Sequence, residues 1–117
     1  NLFSNNEKDI LEGKIELAKN IAKSTNKEGV KAAQLGMAER PDRTEILENL
    51  DAKILIIAGK YDNAVKTENL LKIIPEKTNI KTYVLDCGHN GHWEKPTICA
   101  EIINTELFHN LPKHFLL

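Results

Sequence analysis

Before residue 42, apolar residues recur every three or four positions; after it, they gather into two short blocks separated by further helical spacing. Leu11, Ile15, Ala18 and Ala22 fall on one face, with Ile10, Leu17 and Ile21 widening the stripe and lysines and glutamates opposite. This pattern predicts an amphipathic helix over 8–23. Ser24-Thr25-Asn26 interrupts it, and Asn26 is placed to cap a second helix over 27–38, in which Val30, Ala33 and Met37 share a face. Pro41 ends that helix and helps to start a third, over 42–50, whose first turn carries Asp42 and Glu45 as the macrodipole prefers.

Ile54-Leu55-Ile56-Ile57-Ala58 is an unbroken apolar run closed by Gly59. It predicts a strand covered on both faces, as in a parallel sheet flanked by helices. A helix is expected over 65–74, stopped by Pro75, and a second strand over 80–86, broken by Gly88. Pro96 opens a last helix bearing Ile98, Ile102, Ile103, Leu107 and Phe108, which Pro112 is expected to cut off. Helix, strand, helix, strand, helix is the order of a right-handed parallel βαβ unit with flanking helices. Residues 1–41 form a helical segment ahead of a βαβα part over 42–117. Two parallel strands make a poor sheet, so completion is expected from elsewhere, either a segment outside this sequence or another copy of the chain. A small self-sufficient α/β domain is the alternative.

Composition narrows the function more than the fold. The 117 residues suit one compact domain, and a net charge of -1 gives no bulk attraction to nucleic acid or to an anionic membrane. No stretch approaches the roughly 20 apolar residues that span a bilayer. The first residues have neither a basic nor an apolar leader region, and residue 1 is not Met, which points to processing or to a longer parent chain. Cys87 and Cys99 do not make a disulfide framework, so a reducing, cytoplasmic setting is expected.

The candidate chemistry sits after the two strands. Asp62 follows the first and His89 the second, and in open parallel sheets catalytic groups collect beyond the carboxyl ends of strands. Singly, Asp62 reads as a turn residue and His89 as a solvated loop histidine. Together they are two members of a nucleophile–base–acid set, in which the carboxylate fixes the imidazole tautomer. The third member is missing. The only serines are Ser4 and Ser24, and neither lies in a Gly-x-Ser-x-Gly setting. His92 competes for the base role and is assigned instead to packing; Trp93 is read as core, and Glu94 as an electrostatic partner of the terminal helix's N-terminus. A zinc site at Cys87, His89, His92 and Cys99 is disfavoured, because no two have the paired spacing such sites use.

The run Gly59-Lys60-Tyr61-Asp62 after an apolar strand, and Gly88-His89 followed by Glu94-Lys95-Pro96, resembles the C-terminal part of the α/β-hydrolase family. The likeness covers residues 35–117 well and residues 1–34 weakly. It implies an α/β fold whose sheet is incomplete in this chain, preceded by helices of a cap over 1–41. It implies Asp62 as the triad acid and His89 as the general base; Leu35 and Met37 either line a substrate pocket, as cap residues of the family do, or simply pack between helices. It also implies a nucleophile (Ser, Cys or Asp) outside this sequence, no metal or organic cofactor, and a small acyl substrate such as an ester or amide. Pairing with the missing N-terminal half, or with a second copy, follows from the same reading. The rival expectation is a non-catalytic relative that binds or self-associates through an open sheet edge.

Overall fold

The computed structural model describes residues 2–4 and 8–108; the expected stop at Pro112 lies outside them. The order is α1 (Lys8–Ser24), α2 (Lys27–Ala38), α3 (Thr44–Asn49), β1 (Ile54–Gly59), α4 (Thr67–Ile73), β2 (Ile80–Leu85), α5 (Gly91–Glu94) and α6 (Pro96–Leu107). The hydroxyls of Ser24 and Thr25 both donate to the Ile21 carbonyl, at 2.9 and 2.8 Å, which closes α1. Asn26 then caps α2 by accepting the Gly29 N–H at 3.0 Å.

Two helices start later than their patterns suggest, each because an aspartate takes the backbone first. Asp42 accepts the Thr44 N–H at 2.8 Å and its hydroxyl at 2.6 Å, so α3 begins at Thr44 rather than at 42. Asp62 accepts the N–H groups of Ala64 and Val65, so α4 begins at Thr67 rather than at 65. The one-turn α5 carries no periodic signal of its own.

Strands β1 and β2 pair in parallel, Ile54 opposite Ile80 through Gly59 opposite Leu85. The register is set at the starting end. Asn79 donates from its amide to the Leu50 and Ala52 carbonyls, both at 2.8 Å, and its own carbonyl accepts the Ile54 N–H at 2.8 Å. Lys77 reaches the carbonyls of Glu48 and Leu50. At the far end the ladder runs past the strands, with Lys60 N–H on the Leu85 carbonyl and Tyr61 N–H on that of Cys87. Fixing one end therefore brings both strand-end loops to the same rim.

Helix α6 is held to the sheet by Glu106, which is buried and accepts from the Tyr83 hydroxyl at 2.6 Å and the Lys81 ammonium at 3.1 Å. Those two bonds, Tyr83 first, lower its pKa from the ordinary carboxylate value. Lys53 adds a 3.7 Å ion pair and a bond to the Glu106 carbonyl.

The apolar core among the described residues is small: Phe3, Leu11, Ala58, Cys87 and Cys99. Ile54 to Ile57 are only half-buried, α2 and α3 bury no residue, and Leu17, Ile21, Val30, Leu35 and Met37 are exposed. Among the described residues β1 thus lacks the double cover expected for it. The chain exposes 9018 Å², against about 6,400 Å² for a compact monomer of this mass. Apolar faces of this extent are the ones a folded chain ordinarily covers.

Candidate active site

The rim brings Asp62 and His89 together. The turn after β1 is closed by Asp62 N–H on the Gly59 carbonyl at 3.1 Å, and Thr67 donates its hydroxyl to the same carbonyl at 2.5 Å. The Asp62 carboxylate divides its work. Oδ1 accepts Ala64 N–H at 2.8 Å and Val65 N–H at 2.9 Å, while Oδ2 lies 2.8 Å from His89 Nδ1. Two backbone donors on one oxygen fix the other in direction.

Burial pushes the Asp62 carboxyl up. The bonds from Val65, His89 and Ala64, with the nearby imidazole, more than offset this and hold its pKa below the ordinary value. A carboxyl depressed by folding adds stability that is complete above its unfolded pKa, about 3.9, and is lost as pH falls through the lower folded value. Thermal melts below about pH 4 should therefore show an acid limb that Asp62→Asn flattens; an unchanged limb would place the acid sensitivity elsewhere.

His89 rides on a turn that begins where β2 ends. Cys87 N–H bonds the Leu85 carbonyl at 2.8 Å, and the N–H groups of His89 and Asn90 both donate to the Leu2 carbonyl, at 2.9 and 3.2 Å. Gly59 and Gly88 permit two close approaches. A Cβ on Gly59 would lie 2.0 Å from the Gly88 carbonyl oxygen, and one on Gly88 would lie 2.7 Å from Ser4 N.

With an ionised carboxylate as acceptor, Nδ1 carries the proton and Nε2 keeps its lone pair. The His89 side chain is 40% exposed and that of Asp62 only 11%, so the acid is sheltered and the base is reachable. Among the described residues no group hydrogen-bonds to Nε2. Such an imidazole can take a proton from a hydroxyl, thiol or water arriving from outside, and the carboxylate stabilises the cation formed.

No described residue supplies the nucleophile. Ser24 is tied to the Ile21 carbonyl, and Ser4 is buried with its Oγ unbonded, its N–H on Glu94. Burial, then the charge of Glu94, raises the Cys87 thiol to about 11, which leaves negligible thiolate at neutral pH. His92 is exposed and sets its ring edge-on to Trp93 at 6.3 Å. Trp93 in turn meets Phe3 at 6.1 Å. No three of His, Cys, Asp and Glu lie close enough to hold a metal ion among the described residues, and no described helix is long and apolar enough to cross a membrane.

Hollows in the surface meet the site at one place. One, of about 530 Å³, is lined by Met37, Arg40 and Leu47 among others, but by neither Asp62 nor His89; the other, about 230 Å³, is lined by Ala18, Ile21, Asn90, His92 and Trp93. The latter adjoins the His89 turn.

Residues 2–4 and Glu94 were not foreseen as neighbours of the site. Glu94 does not serve the start of α6. Its buried carboxylate accepts the N–H groups of Gly88 and Ser4 instead. The available signal was Gly88 itself, which marks a place where another backbone comes close. Set against protein-family models, curated proteins and solved structures, the chain matches none.

Proposed function

We propose that this chain supplies the general base, His89, and the orienting acid, Asp62, of a hydrolase acting on an ester, amide or related acyl substrate through a nucleophile–His–Asp triad. The observation that carries the proposal is the 2.8 Å contact between His89 Nδ1 and a carboxylate already anchored by two N–H bonds. Nε2, on a side chain 40% exposed, is where a nucleophile outside this chain would deliver its proton. The resemblance of Gly88-His89 and Glu94-Lys95-Pro96 to the α/β-hydrolase pattern supports the same assignment. No metal or organic cofactor enters the scheme.

The test is the coding sequence that precedes residue 1. A strand running into Gly-x-Ser-x-Gly, or a Cys or Asp counterpart, is expected there. The joined protein should hydrolyse simple aryl esters while the 117-residue chain does not. A frame that lacks such an element, or a joined protein without hydrolysis, contradicts the proposal.

One observation favours a second reading, a non-catalytic protein that pairs through its sheet. The outer edge of β1 has no neighbouring strand among the described residues, and its side chains are half-exposed. Such an edge invites strand addition. Sedimentation together with the hydrolysis assay distinguishes the two: a dimer of the chain stable at low micromolar concentration, with no hydrolysis by the joined protein, supports self-pairing, and a monomer opposes it.

A further inference from the structure

Glu94 has no part in the scheme above, yet it is 7% exposed, and buried carboxylates persist only where hydrogen bonds repay their lost hydration. Its bonds come from two backbone N–H groups. Oε1 accepts the Gly88 N–H at 2.9 Å, and the two oxygens accept the Ser4 N–H at 3.2 and 3.3 Å. Gly88 immediately precedes His89, whose own N–H, with that of Asn90, is held by the Leu2 carbonyl. The turn is therefore gripped on one side by Glu94 and on the other by residues 2–4, which Glu94 also holds. The fit is tight: a Cβ on Gly88 would stand 2.8 Å from Glu94 Oε1 and 2.8 Å from the Phe3 carbonyl carbon. Lys14 reaches the Trp93 carbonyl, so α1 is fastened to the same turn of helix.

We infer that Glu94 is a positioning residue for His89, its carboxylate locking the Cys87–Asn90 turn against residues 2–4 so that the imidazole presents Nδ1 to Asp62. The inference rests on the Asp62–His89 pair but asks a separate question of it. An apolar residue in place of Glu94 would leave the Gly88 and Ser4 N–H groups buried without acceptors. The turn would shift to find others, and the imidazole would shift with it. An unconstrained neutral imidazole favours the proton on Nε2, so the tautomer reports the lock directly.

The experiment reads the ring-nitrogen ¹⁵N shifts of His89 in its neutral form, in the 117-residue chain. In the unmodified chain Nδ1 should carry the proton. Glu94→Leu should raise the ratio of Nε2–H to Nδ1–H roughly tenfold and speed exchange of the His89 amide. Glu94→Gln, whose amide oxygen can still accept both N–H groups, should restore the original ratio. A residue that merely supports the fold would lower the melting temperature without moving the tautomer, so an unmoved ratio in Glu94→Leu overturns the inference and leaves the pair intact. An unmodified chain already protonated on Nε2 would sink the pair itself. Should Glu94→Leu also melt β1 and β2, deletion of residues 1–4 replaces it, since that removes the Ser4 N–H and the Leu2 carbonyl. An unchanged tautomer there is equally fatal.

Discussion

If the proposed triad holds, then in a protein joining this chain to a nucleophile Asp62→Asn should lower turnover roughly 10⁴-fold, and His89→Gln by at least as much. Asp62 Oδ2 is the only side-chain partner of His89 Nδ1 among the described residues, at 2.8 Å. An asparagine can turn its amide nitrogen toward the ring, which then offers Nδ1 as acceptor and protonates Nε2. The lone pair needed by the nucleophile is lost while the shape is kept. Glutamine at 89 removes the base altogether. KM for an acyl ester should change little in either variant, because the loss falls on the chemical step. Turnover within about tenfold of the parent in both variants would reject the roles assigned here.

The second large effect belongs to Gly59. A Cβ there would stand 2.0 Å from the Gly88 oxygen, 2.7 Å from the Cys87 oxygen and 2.8 Å from the Gly88 carbon. All three are backbone atoms that no rotamer change can clear. Gly59→Ala must push β1 from the turn that carries His89, breaking the bond from Tyr61 N–H to the Cys87 carbonyl. A loss of about 3 kcal/mol is expected, which for a domain of this size lowers the melting temperature by more than about 10 °C. Gly13→Ala serves as the control. Nothing lies within 4 Å of that Cβ, and the residue sits inside α1, so a gain of up to about 1 kcal/mol follows from helix propensity. Equal melting temperatures for the two variants would show that the close approach at Gly59 is not real.

Much of this arrangement was legible in the residues. The unbroken apolar run at 54–58 closed by Gly59, and the β-branched and aromatic-rich stretch at 80–85 broken by Gly88, marked both strands, and their parallel pairing followed from the helix between them. The juxtaposition of Asp62 with His89 was legible because it needs only two adjacent parallel strands of matched length. Side-chain competition for backbone groups was not: Asp42 and Asp62 each delay a helix by two residues, and periodicity does not register a hydrogen bond. The role of Glu94 was hidden for a different reason. It depends on residues 2–4 returning to the turn, a contact between positions 90 apart in the chain, and no local pattern encodes such a return. Nor does the stripe on α1 say what should cover it, since Leu17 and Ile21 remain exposed.

The most direct check is the protonation pattern of one ring. With the carboxylate of residue 62 seated against it, the neutral imidazole of His89 should show a pyrrole-like ¹⁵N signal at Nδ1 and a pyridine-like one at Nε2, and Asp62→Asn should exchange the two. A parent chain whose Nε2 already bears the hydrogen, unaltered by that substitution, would contradict the pairing on which the proposed catalysis depends.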